Sequence, residues 1–110
     1  MTEIEKAKRK FRATKEWKNF RMKMKRLSKN RCALTGKLLY KGFQVHHLDL
    51  NHSHYEDLNE ENFVCLNKKS HELVHTIFVY WRKDKGIIDR LVNILEKMEE
   101  LTNANYNFRS

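Results

Sequence analysis

Proline is absent from the 110 residues, and glycine occurs only three times. With so few of these residues, long irregular loops are disfavoured and helices should dominate. Long apolar runs are missing too. None approaches the roughly 20 residues needed to cross a bilayer, so no membrane partner is expected. Two cysteines, Cys32 and Cys65, are too few for a disulfide framework and read as reduced thiols buried as small apolar side chains. The stretch from Glu3 onward is charged and has no apolar segment of the secretory kind. A cytoplasmic location is therefore expected, in the host cell if the chain is phage-encoded. At 40% hydrophobic, so short a chain has material for one domain with a small core.

What the chain does have is positive charge, and it is unevenly placed. Residues 1–31 carry 13 Lys or Arg against 3 Glu, a net of +10. Residues 32–110 carry 10 against 11 acidic residues, a net of −1, and the two segments together give the formal +9. A near-neutral body with a basic arm over residues 1–29 suits a polyanion, most simply DNA gripped through its phosphates. Lys8, Arg9, Arg12, Lys15, Arg21, Lys25, Arg26 and Arg31 are the candidate contacts.

Apolar residues recur at helical steps over residues 3–29, from Ile4 through Phe11, Trp17, Phe20 and Met24 to Leu27, with one gap near Thr14. Turn residues fill 30–37. Residues 38–48 alternate well enough for a strand or hairpin with its bend near Lys41-Gly42, and 49–61 read as a polar loop. Asn62 to Leu66 is a short apolar strand. A helix follows from Asn67 to about Lys83, with Leu73, Val74, Ile77, Phe78 and Trp81 expected to face inward. Asp84-Lys85-Gly86 breaks it, and residues 87–101 form a last amphipathic helix before a polar tail. The fold class expected is α+β, mostly helical.

Within the third predicted helix, residues 71–75 read HELVH. Histidines four apart on a helix share a face and can reach one metal ion, which needs at least one more protein ligand. Three sources of that ligand give three functions. A zinc peptidase takes it from downstream, with Glu96 and Glu99 in range, and uses Glu72 as the base. A purely structural zinc module on a basic DNA-binding chain closes the site with further His or Cys. The third source is upstream, in VHHLD. Successive strand side chains point to opposite faces, so His46 and His47 cannot both bind the same ion easily. One can bind metal while the other faces a substrate that the metal holds, a division suited to phosphodiester hydrolysis.

VHHLD, then ENFVCL, then the helix carrying HELVH resembles the HNH endonucleases of the ββα-metal fold, and among them the nuclease domains of colicin-type bacterial DNase toxins. The likeness covers roughly residues 30–78. It implies a ββα-metal core over 30–83, between the basic helical arm and a C-terminal helix and tail over 84–110. It also implies a metal-dependent endonuclease acting on DNA. His46 and His71 would hold one divalent ion, with His75 as a third ligand. His47 would be the general base, and Asn62 would hold that base in orientation. Three imidazoles favour Zn, Ni, Mn or Co over Mg. One site in a monomer implies nicking, whereas a weak homodimer would bring two sites together. The chain departs from the family at the usual pair of Cys-x-x-Cys zinc ligands. These positions read Cys32 and Thr35, then Asn67 and Ser70, so a structural zinc is not expected there.

Overall fold

The computed structural model describes residues 2–106 and is α+β. Among the described residues there are four helices, α1 (Glu3–Arg12), α2 (Lys15–Leu27), α3 (Lys68–Lys83) and α4 (Ile87–Tyr106), with two strands, β1 (Gln44–His47) and β2 (Phe63–Leu66). Two compact units are distinguished, residues 1–73 and 74–110. The division falls inside α3, which runs through it without interruption.

In the first unit the basic arm is two helices rather than one. Thr14, at the gap in the apolar repeat, starts a new helix. Its hydroxyl accepts a hydrogen bond from the Trp17 N–H at 3.1 Å and donates one to the Phe11 carbonyl at 2.6 Å. At the far end of α2, Lys29 and Asn30 both take left-handed backbone angles, and the chain turns toward residues 31–43. Only the end of the expected 38–48 hairpin becomes strand. Leu38 makes an isolated bridge with Arg31, and a turn at Lys41-Gly42 leads into β1. β1 and β2 pair antiparallel, with His46 opposite Val64 and His47 opposite Phe63. Two short 3-10 turns interrupt the polar loop between them, and Lys23 of α2 forms an ion pair with Glu60 of the second.

Among the described residues nine apolar ones are buried, all within the first unit: Phe11, Phe20 and Met24 from the helices, Cys32, Leu39 and Phe43 from the connection, and Phe63, Cys65 and Leu66 from β2. Aromatic rings bind the layers together. Phe11 meets Trp17 and Tyr55, and Trp17 meets Phe20 and Phe63. Phe20 meets Phe63 edge-on at 4.9 Å between centroids. The middle of the arm's apolar stripe, Phe11, Phe20 and Met24 with the half-buried Trp17, is therefore spent on the core, while Ile4 and Leu27 at its ends are exposed.

The second unit holds the rest of α3 together with α4. Three of the residues expected to face inward from α3, Val74, Ile77 and Phe78, are half-buried, but Leu73 and Trp81 are exposed. Periodicity identifies an apolar face and says nothing about whether a neighbour covers it. α4 extends through Tyr106 and so takes in part of the expected tail, whose residues 107–110 lie outside the described ones.

Phe63 joins α2 to the strand pair, so its truncation tests this packing. Phe63→Ala should lower the free energy of unfolding by about 3–5 kcal/mol in urea titration, with Phe63→Leu costing less. A loss below about 1 kcal/mol, smaller than a fully packed ring allows, would show that the aromatic row does not hold the helices on the sheet.

Candidate metal centre

The pleat of β1 sends His46 and His47 to different surroundings. His46 is buried, at 8% exposure, while His47 is half-buried. β2 leads directly to Asn67, which starts α3: its carbonyl accepts from the His71 N–H at 2.9 Å. The Asn67 side chain is itself fixed, accepting from Tyr40 N at 3.0 Å and donating to Leu38 O at 3.0 Å. That anchorage sets where His71 stands in the first turn, and His75 follows one turn later on the same face.

The result is a three-imidazole group. One ring nitrogen from each of His46, His71 and His75 lies within 4.8 Å of the others, and the His46 and His71 rings meet edge-on at 4.9 Å. Nitrogens bound to one tetrahedral zinc at about 2.0–2.1 Å stand about 3.3 Å apart, so small side-chain rotations bring the three onto an ion. The donor set is neutral and nitrogen-only, which suits borderline transition metals better than Mg. Glu72, Glu96 and Glu99 are exposed and do not belong to the group, and neither cysteine does. Among the described residues the group therefore offers three protein ligands, which leaves a position for water or substrate.

His47 lies outside the group and against Phe63, the two rings nearly parallel with centroids 4.3 Å apart. Its Nε2 is buried with no hydrogen-bond partner. Burial pulls the His47 pKa below its ordinary value. Nearby Asp49 and Asp57 oppose that pull, while His54 and Lys8 add to it. A neutral imidazole at neutral pH follows.

Asp49 makes hydrogen bonds within its own loop. It accepts from Asn51 N at 2.9 Å, and its other oxygen lies 2.6 Å from His54 Nδ1. The Asn51 N–H and then His54 hold its carboxyl below the usual range. The sequence gives no sign of this pair, because loop residues have no period from which to read a shared direction. Asn62 takes part through its backbone, its carbonyl accepting from Leu48 N at 2.8 Å where the strand pair ends.

The basic residues divide into two sets. Lys8 stands over the Tyr55 ring, 4.9 Å from its centroid, and close enough to His47 to influence its charge. Arg12 lies near the Tyr55 hydroxyl. Arg9, Lys15, Arg26 and Arg31 are exposed. Arg21 and Lys25 are half-buried over Phe43 instead, and the Arg21 guanidinium also donates to the Phe43 carbonyl at 2.8 Å.

The four positions where the resemblance would put structural-zinc ligands do come together, through hydrogen bonds. Burial raises the Cys32 pKa, but hydrogen bonds from the Ser70 hydroxyl, the Asn67 backbone and Thr35 outweigh it and bring the thiol from 9.0 to about 6. The folded pKa lies below the unfolded one, so Cys32 stabilises the fold increasingly as pH rises from about 6 to 9 and loses that contribution as pH falls through about 6. Ser70→Ala should raise the Cys32 pKa, read by thiolate absorbance, and flatten the rise of the urea midpoint over this window. An unshifted thiolate titration in Ser70→Ala would refute that role for the hydroxyl.

The metal group makes a separate prediction. Titrated with cobalt or zinc, His46→Ala, His71→Ala and His75→Ala should each weaken binding by more than the roughly 10–100-fold that loss of an outer-sphere partner costs. His47→Ala should bind as wild type does. Equal losses in His46→Ala and His47→Ala would break the division of the doublet. No protein-family model, curated protein or solved structure matches the chain.

Proposed function

We propose that the chain is a metal-dependent endonuclease of the HNH type that hydrolyses phosphodiester bonds in DNA. The observation that carries the reading is the division of the doublet, with His46 joining His71 and His75 while His47 stays apart with an unpaired ring nitrogen. The strand, strand, helix order of the elements, with His46 on β1 and His71 and His75 on α3, supports a ββα-metal motif.

His46, His71 and His75 would hold one divalent ion. Bound there, it supplies Lewis-acid stabilisation of charge developing on the phosphoryl and leaving oxygens. The chain's own residues supply the rest. His47, kept neutral by burial against Phe63, takes the proton from the attacking water. The water oxygen bonds to phosphorus as the ester oxygen departs. The Phe63 ring fixes the plane of the imidazole, and the backbone of Asn62 closes the strand end beside it. Lys8 and Arg12, with the exposed Arg9, Lys15, Arg26 and Arg31, hold phosphates without reading bases.

The competing readings find less support. A peptidase needs Glu72 as base and a downstream third ligand, yet the third imidazole is His46. A structural zinc site needs a closed ligand set, yet Cys32 and Cys65 stand apart from the group.

The test is supercoiled plasmid incubated with the purified chain and Mg, Mn, Co, Ni or Zn, beside an EDTA control. Metal-dependent relaxed or linear product is expected. His47→Ala should lose at least about 100-fold in rate, the lower range of what a general base contributes. Glu72→Gln should cut at the wild-type rate. Intact plasmid under every metal, or full cleavage by His47→Ala, would overturn the proposal.

A further inference from the structure

The loop between β1 and β2 carries an acid–base pair that the proposed chemistry leaves idle. Asp49 Oδ2 lies 2.6 Å from His54 Nδ1. The Asn51 N–H and then His54 hold the carboxyl below its usual range, so at neutral pH it is ionised and can only accept. His54 Nδ1 therefore carries the hydrogen of this contact. That leaves Nε2, on the far side of the ring, to bind or release a proton, and the His54 side chain is 54% exposed.

The loop holds both members in place. The second Asp49 oxygen accepts from the Asn51 N–H at 2.9 Å, and the Asn51 carbonyl accepts from the His54 N–H at 3.0 Å. The Asn51 side chain accepts from the Ser53 N–H at 3.0 Å and from its hydroxyl at 2.8 Å. Next in the chain, the Tyr55 ring meets Phe11 of α1 edge-on at 5.8 Å between centroids, which ties the loop to the core. An exposed ion pair adds little to stability, so the fold has slight need of the Asp49–His54 contact.

The pair also stands at the candidate site. Asp49 is the strongest of the charges acting on His47, ahead of Asp57, His54 and Lys8. The end of β1 thus gathers the proposed base, a second imidazole aimed by a carboxylate, and a lysine suited to phosphate. Phosphodiester hydrolysis moves two protons: one leaves the attacking water, and one must reach the departing ester oxygen, which is strongly basic when it leaves from DNA.

We propose that His54, oriented by Asp49, is the general acid that gives its Nε2 proton to the leaving oxygen. The inference rests on the nuclease reading. The water oxygen bonds to phosphorus and its proton passes to His47. The P–O ester bond breaks, and the leaving oxygen takes the His54 proton. Turnover ends with His47 protonated and His54 neutral, and proton exchange with solvent restores both. Asp49 is a positioning residue that acts through the His54 ring.

Two substrates with different leaving groups test this, under a metal that supports wild-type cleavage. One is plasmid. The other is bis(p-nitrophenyl) phosphate, whose p-nitrophenolate departs without taking up a proton. His54→Ala should cut plasmid at least about 100-fold more slowly than wild type, with a loss about tenfold smaller or less on the p-nitrophenyl diester. His54→Gln keeps a hydrogen-bond donor but has no proton to transfer, and should be as slow on plasmid as His54→Ala. Asp49→Asn should show the same selectivity between the substrates. Equal losses on both substrates, rescue by His54→Gln, or wild-type plasmid cleavage by His54→Ala overturns the acid role and leaves the nuclease reading standing. A wild-type chain that cuts neither substrate under any metal removes the nuclease reading, and this inference with it.

Discussion

The ring of Phe63 lies nearly parallel to that of His47 and also meets Phe20 edge-on, with Trp17 close by. One buried side chain thus touches both the basic helix α2 and the imidazole of the candidate site. Its apolar surface removes water from His47, and that burial is the main reason the imidazole is held neutral. Its volume also seats α2 on β2, so the charge of the arm and the chemistry of the strand share a single packing contact.

The remaining parts of the site hang from the same two strands. The pleat at β1 separates the two histidines of the doublet, and β2 runs without a gap into Asn67 and the first turn of α3. Cys32 lies under that turn, with Ser70, Asn67 and Thr35 donating to its sulfur. Hydrogen bonds there anchor the helix start at the positions where the resemblance would put structural-zinc ligands. A buried thiol with several donors is a weaker clamp than a four-ligand ion, and the aromatic row of the arm adds packing that a small metal module does without.

Much of this was legible in the residues. Alternation in β1 was enough to say that His46 and His47 part, and the four-residue spacing was enough to put His71 and His75 on one face, because both follow from backbone geometry alone. Thr14 as a helix start was signalled by the gap in the apolar repeat but could also have been a tolerated polar residue within one helix. What tertiary contact decides was not legible. Nothing in DLNHSH says that Asp49 turns to His54. Nothing in the basic arm separates Arg21, folded over Phe43, from Arg9, which stays in solvent. Leu73 and Trp81 fit an inward face by period yet remain exposed, because a helical repeat specifies direction and not a neighbour.

Thr14 capping and the rings of Phe11, Trp17 and Phe20 leave α1 and α2 already folded, with most of their lysines and arginines on the outside. Many basic arms are unstructured and must give up chain entropy when they wrap a polyanion. This one has lost that entropy in folding. A polyanion meeting it encounters a fixed spacing of positive charge, set by helical geometry, so the surface favours ligands whose own charge spacing is regular over a rigid length and gains little from those that are limp.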